Sequence, residues 1–122
     1  MKTLTLDVNK WRCGANGGYK LGEGDTELLN SEGFMCCLGQ FASQLNPIIK
    51  TEDLLYIGEP SDINYEIVDL NKKTGFENMC NTDLSFKAID INDNDDTTVI
   101  EKIDLLKELF IKHNYNIEVI NL

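Results

Sequence analysis

The chain has 122 residues, of which 42 % are hydrophobic, so its length suits a single globular domain over residues 1–122 with one core. No run of about 18 apolar residues occurs, which argues against a transmembrane helix. The first ten residues, MKTLTLDVNK, lack the apolar stretch of a secretory signal. We therefore expect a cytoplasmic protein whose four cysteines are free thiols.

The charge balance is strongly acidic. The chain has 21 Asp and Glu residues against 11 Lys and Arg residues, a formal net charge of −10. This argues against direct nucleic-acid binding, because that requires Lys and Arg to neutralise phosphates. The acidic field favours a partner with a basic surface, and simple solubility is the alternative explanation.

The first predicted element is a strand, because Leu4, Leu6 and Val8 alternate with polar residues. A glycine-rich segment, residues 14–24, follows it. Such a segment indicates a mobile loop or tight turns.

The first predicted helix covers about residues 36–46. Leu38, Phe41 and Leu45 recur at helical spacing. Pro47 ends this helix, because the residue before a proline avoids the α conformation.

The second half begins with an ambiguous region, residues 61–91, in which INYEIVDL and LSFKAIDI permit either strand or helix. Thr98 and Glu101 have the spacing of a capping box. They open a predicted helix over residues 98–113 with one apolar stripe: Val99, Ile103, Leu106 and Phe110. The alternation in YNIEVINL predicts a final strand.

These elements predict an α+β fold. A small sheet contains the N-terminal strand, the C-terminal strand and one or more central strands, and it packs against two main helices at about 36–46 and 98–113. Both helices carry apolar stripes that need a shared surface. The expected core therefore includes six residues: Leu38, Phe41, Leu45, Ile103, Leu106 and Phe110.

The segment from Asp90 to Glu101 resembles a calcium-binding EF-hand loop, since oxygen-bearing side chains fall at positions 1, 3, 5 and 12. Two departures argue against calcium. Position 6 is Asp95, where the motif needs glycine, and position 8 is Thr97, where it has an apolar residue. The alternative is a solvated loop whose carboxylates favour the helix N-terminus that follows.

Cys36 and Cys37 stand at the start of the first predicted helix. A thiolate there is stabilised by the helix dipole, but the one histidine, His113, lies far along the chain. Zinc binding by Cys13, Cys80, His113 and one of the paired cysteines lacks the close pair that zinc sites contain. We expect at least one of Cys36 and Cys37 to be a buried core residue, and we predict no metal, no cofactor and no catalysis.

Several short motifs resemble a loose group of uncharacterised small phage and bacterial proteins. The shared features are a Cys-Cys/Ala-Leu-Gly box, here Cys36 to Gly39, a later Asn-Asp dipeptide, here Asn92-Asp93, and an amphipathic helix, here 98–113. Trp11 and Gly24 belong to the same pattern. The resemblance implies a phage or prophage setting inside a bacterium and no assigned activity.

The sequence therefore predicts a small binding protein that blocks a host defence or regulatory protein without catalysis. The alternative is a protein that binds a small ligand or a nucleotide through backbone amides of the glycine-rich loop, and a cysteine-dependent enzyme is less favoured. The expected binding residues combine the acidic tract with the glycine-rich loop and its preceding tryptophan: Trp11, Gly17, Gly18, Gly22, Gly24, Asp90, Asn92, Asp93, Asp95 and Asp96.

Overall fold

The computed structural model describes residues 1–13, 28–30, 33–63, 74–94 and 96–122. Its main elements are two strands and three helices, in the chain order β1, α1, α2, α3 and β2. Their bounds are Lys2–Asp7 for β1, Cys37–Leu45 for α1, Asp83–Asp93 for α2, Val99–Ile111 for α3 and Tyr115–Ile120 for β2. Short 3-10 helices cover Val8–Lys10, Thr51–Leu54, Pro60–Asp62 and Phe76–Met79. The α+β prediction is confirmed.

The sheet joins the two ends of the described chain. Strands β1 and β2 run parallel, with Lys2 opposite Tyr115 and Asp7 opposite Ile120. Leu4 and Leu6 of β1 are buried in the core together with Ile117 of β2. The alternating apolar residues of both predicted strands therefore point to the same interior face.

The second edge of β1 is covered by side chains of α1 instead of a strand. The Thr5 amide donates to Gln44 Oε1 at 2.7 Å, and Gln44 Nε2 donates to the Thr5 carbonyl at 2.8 Å. Gln40 makes the same pair of bonds with Asp7, at 2.7 and 3.0 Å. Because the glutamines lie four residues apart, they share one face of α1 and together satisfy the backbone of β1.

Helices α1 and α3 form at the predicted positions, and all six predicted core residues are buried. The rings of Phe41 and Phe110 meet edge to face, with centroids 5.3 Å apart. The predicted capping box is present, since Thr98 Oγ1 accepts from the Glu101 amide and Glu101 accepts from the Thr98 amide. Gly39 allows close packing within this core, because a Cβ there would lie 1.9 Å from the Leu28 carbonyl oxygen.

Helix α2 resolves part of the ambiguous region. The segment LSFKAIDI is helical, and Thr82 and Ser85 form a capping box at its start. The other candidate strand, INYEIVDL, lies outside the described residues except for Ile63. Within the described ranges the sheet has two strands, and no helix there has the length and apolar character needed to cross a bilayer.

Candidate functional site

The most connected polar side chain in the interior is Asn92, in the last turn of α2. Its Oδ1 accepts from Trp11 Nε1 at 2.7 Å and from the Cys37 amide at 3.0 Å. Its Nδ2 donates to the Arg12 carbonyl at 3.1 Å and to Asp93 Oδ1 at 2.8 Å. One carboxamide thus ties the segment after β1 to the first residue of α1 and to the end of α2.

Two of the predicted binding residues are therefore interior. Trp11 is 0 % exposed and Asn92 is 1 % exposed, so their side chains do not reach a partner. This corrects the expectation that both contact a ligand. Their role in the described structure is to hold α1 and α2 together.

The EF-hand interpretation also disagrees with this geometry. Asp90, Asn92 and Asp93 belong to α2, whereas the motif needs them in a loop. The Asn92 oxygen already accepts two N–H groups and is not directed at a cation. In the part of the chain that the structure describes, no three His, Cys, Asp or Glu side chains form a group suited to a metal.

A lysine that the sequence analysis missed lies beneath the acidic tract. Lys102 in α3 is 0 % exposed, and its Nζ donates to the Asn94 carbonyl and to Thr97 Oγ1, the latter at 2.6 Å. One feature of the sequence favours its burial. Lys102 lies three residues after Val99 and four before Leu106, so it falls on the apolar stripe of α3.

The acidic residues around this lysine are exposed. Asp93 and Asp96 are on the surface, as predicted, and so is Asp90, while Glu101 and Asp104 extend the same segment into α3. Asp93 also accepts from Asn92. Partial burial raises the pKa of the Asp93 carboxyl, and the Asn92 bond and the charges of Lys102 and Arg12 oppose that rise. Asp95 and the four glycines predicted as binding residues lie outside the described residues.

Cys36 and Cys37 are both buried, which confirms the prediction that at least one of them is. Burial raises the pKa of Cys36 to about 11 and raises that of Cys37 well above its usual value. Burial also raises the pKa of Cys13 to about 11. These thiols remain protonated at neutral pH, and a thiol is a poor nucleophile compared with a thiolate. A cavity of about 20 Å³ beside Cys36 and Cys37 holds little more than one water molecule.

His113 lies elsewhere, at a cleft of about 240 Å³ between the start of α2 and the start of β2. The cleft is lined by six residues: Asn78, Thr82, Asp83, Leu84, His113 and Tyr115. The lining contains no cysteine, so the structure does not bring the imidazole to a thiol there.

Comparison of the chain with known protein families, with curated protein sequences and with solved structures yields no match.

Proposed function

We propose that this chain is a non-catalytic binding protein that blocks a bacterial host protein, of a defence or regulatory type, by covering a basic surface on it. The proposed contact is the acidic strip, which we define as the exposed acidic side chains from the end of α2 to the second turn of α3: Asp90, Asp93, Asp96, Glu101 and Asp104.

The observation that carries this proposal is the position of Lys102. Lys102 is the only Lys or Arg between Asp90 and Asp104, and its ammonium group is directed inwards to Asn94 and Thr97. The one cation of this segment therefore does not reach the surface of the strip. The described surface of this segment therefore has exposed carboxylates and no exposed Lys or Arg of its own. Such a surface suits a partner rich in Lys and Arg.

The strip is also held in a defined shape. Asp93 is fixed by Asn92, and Glu101 is fixed in the capping box of α3. Charges held on capped helices lose little conformational freedom on binding, which reduces the entropic cost of association. Ile100 is 49 % exposed beside these charges and offers apolar contact area within the same surface.

Two further points support a binding role. The buried thiols have raised pKa values and lie apart from the histidine cleft, which argues against cysteine catalysis. The phage resemblance, where small proteins act inside a bacterium, suits a host protein as the target. The nucleotide-binding alternative depends on residues 14–24, which lie outside the described residues, and nothing in the described structure favours it.

The test begins with capture of a partner from bacterial lysate, followed by association kinetics at low and at physiological salt. The variant reverses three charges of the strip whose carboxylates make no described hydrogen bond, by changing Asp90, Asp96 and Asp104 to Lys. The matched control makes the same charge change on another exposed surface of the chain, at Glu52, Glu59 and Asp62.

We expect the strip variant to associate at least about tenfold more slowly than wild type at low salt, with a smaller difference at higher salt. The control variant should change the rate much less, because steering depends on where the charges lie. Equal rates for wild type and strip variant, or equal slowing by strip and control variants, would refute the acidic strip as the contact surface.

A further inference from the structure

The cleft at the start of α2 is lined mainly by polar side chains. Among the six described lining residues there is no Lys or Arg, and Asp83 contributes a carboxylate. The Asp83 carboxylate, in a chain with a net charge of −10, favours a cation. We propose that the cleft binds one arginine side chain of the basic partner, an inference that rests on the proposed function and specifies what is recognised.

The first group available to an arginine is the carboxylate of Asp83. It pairs with Lys87 at 3.0 Å, but the two side chains are 74 % and 59 % exposed. Such a surface pair contributes little to stability. A guanidinium group forms two parallel hydrogen bonds with a carboxylate, which a lysine cannot do. An incoming arginine therefore displaces Lys87 at little cost.

The second group is His113. Its Nδ1 lies 3.1 Å from the Leu109 carbonyl oxygen, an acceptor, so the neutral ring places its proton on Nδ1 and leaves Nε2 as an acceptor. The imidazole thus presents a lone pair to a donor. It also presents a flat ring on which a planar guanidinium stacks.

The third group is the amide of Asn78. Its Nδ2 donates to Tyr115 Oη at 3.0 Å, which leaves Asn78 Oδ1 without a partner among the described residues. Tyr115 is only 7 % exposed, so this bond fixes the amide orientation from inside. The cleft therefore offers three acceptors from Asp83, His113 and Asn78, whereas an arginine offers five N–H donors and no acceptor.

Two lining residues remain, Thr82 and Leu84. Leu84 is 2 % exposed and forms an apolar floor beneath the aliphatic stem of an arginine. The cleft lies at the first turn of α2, and the acidic strip begins at its last turns. An 11-residue helix is about 16 Å long, so one protein partner spans both features.

The experiment requires no partner protein. The full chain is titrated with N-acetyl-arginine methylamide, followed by the NMR shifts of His113 and Tyr115. The same titration is run with the lysine analogue and with the citrulline analogue, which is a neutral isostere of arginine. We expect arginine to bind at millimolar concentration, lysine more weakly, and citrulline at least about fivefold more weakly than arginine.

Three variants locate the binding. Asp83→Asn should weaken arginine binding at least about threefold, whereas Lys87→Met should strengthen it, because the carboxylate loses its competitor. Glu52→Gln removes an equal charge from an exposed position outside both the cleft and the acidic strip and should leave arginine binding unchanged. Circular dichroism checks that each variant is folded.

Binding of citrulline as tightly as arginine, or equal weakening by Asp83→Asn and Glu52→Gln, would overturn the inference. So would the absence of any shift at His113 and Tyr115. These results are separable from the proposed function. If the cleft fails this test while the strip variant still slows association, only the arginine assignment falls.

Discussion

Replacement of Asn92 by alanine tests whether one buried carboxamide holds the fold together. The substitution removes the acceptor of the Trp11 indole N–H and of the Cys37 amide. Both donors belong to residues that are fully buried, so no solvent replaces the lost acceptor directly. The change also removes the amide that bonds the Arg12 carbonyl and Asp93.

The magnitude follows from these contacts. A buried donor left without a partner costs about 1–3 kcal/mol, and two such donors give about 2–6 kcal/mol. The small cavity lined by Asn92 enlarges on truncation, so a water molecule recovers part of this loss. We therefore expect the free energy of unfolding to fall by about 3–4 kcal/mol, a large share of the roughly 5–15 kcal/mol of a typical domain.

The assay is urea denaturation followed by fluorescence. Trp11 is the only tryptophan and is fully buried, so its emission reports exposure on unfolding. With a slope of about 1–3 kcal/mol per molar urea, a loss of about 3 kcal/mol lowers the midpoint by roughly 1–3 M. Asn116→Ala is the matched control, because the Asn116 side chain is exposed on β2 and makes no described hydrogen bond.

A second variant separates the two halves of the carboxamide. Asn92→Asp keeps an oxygen for Trp11 and Cys37 but places a second carboxylate oxygen against Asp93 and the Arg12 carbonyl. It should be destabilising at neutral pH and less so in acid, where the new carboxyl is protonated. If Asn92→Ala and Asn116→Ala lower the midpoint equally, the network contributes nothing measurable and the argument is wrong.

Two other predictions concern the edge of β1 and the thiols. Gln44→Ala should lower the free energy of unfolding by about 1–3 kcal/mol, because it unpairs both backbone groups of Thr5; Ser43→Ala is the neighbouring control, and equal midpoints for the two variants would contradict the prediction. In the alkaline range stability should fall as pH rises from about 9 towards about 11. The folded pKa of Cys36 is raised to about 11 from 9.0, so over that range the unfolded chain loses a proton that the folded chain keeps. Urea denaturation measures this fall, and Cys36→Ala should make the free energy of unfolding less dependent on pH. An unchanged pH dependence would contradict the burial of Cys36 as the cause of the fall. In the native state at neutral pH, Cys36 and Cys37 should react slowly with a thiol reagent, and rapid labelling of either would contradict the structure.

The helices α1 and α3 were predictable because their signals are local. Each has an apolar stripe at helical spacing and a clear terminus, Pro47 after α1 and the Thr98 capping box before α3. Helix α2 was ambiguous for a physical reason. Its buried face includes the polar residues Ser85 and Asn92, and its Phe86 is 51 % exposed. The positions of the apolar residues therefore fit the alternating pattern of a strand as well as they fit a helix.

The candidate sites depend on long-range contacts that no local pattern encodes. Trp11 and Asn92 form a hydrogen bond although they lie 81 positions apart in sequence. Neither residue type predicts which partner its side chain will bond. The exposure of the acidic tract was predictable from its charge alone. The inward direction of Lys102 was not, because a lysine within an apolar stripe usually extends to solvent along its flexible stem.

The pairing of β1 with β2 has a consequence for the order in which the protein assembles during synthesis. The two strands are separated by more than a hundred residues, and at about 5–20 residues per second the ribosome needs roughly 6–20 s to supply the second after the first. Helix α1 emerges much earlier, and Gln40 and Gln44 satisfy one edge of β1. The first strand can therefore dock against α1 while β2 is still being made. This early docking covers the backbone groups of Thr5 and Asp7 on one edge, and the edge that pairs with β2 stays open until β2 is made.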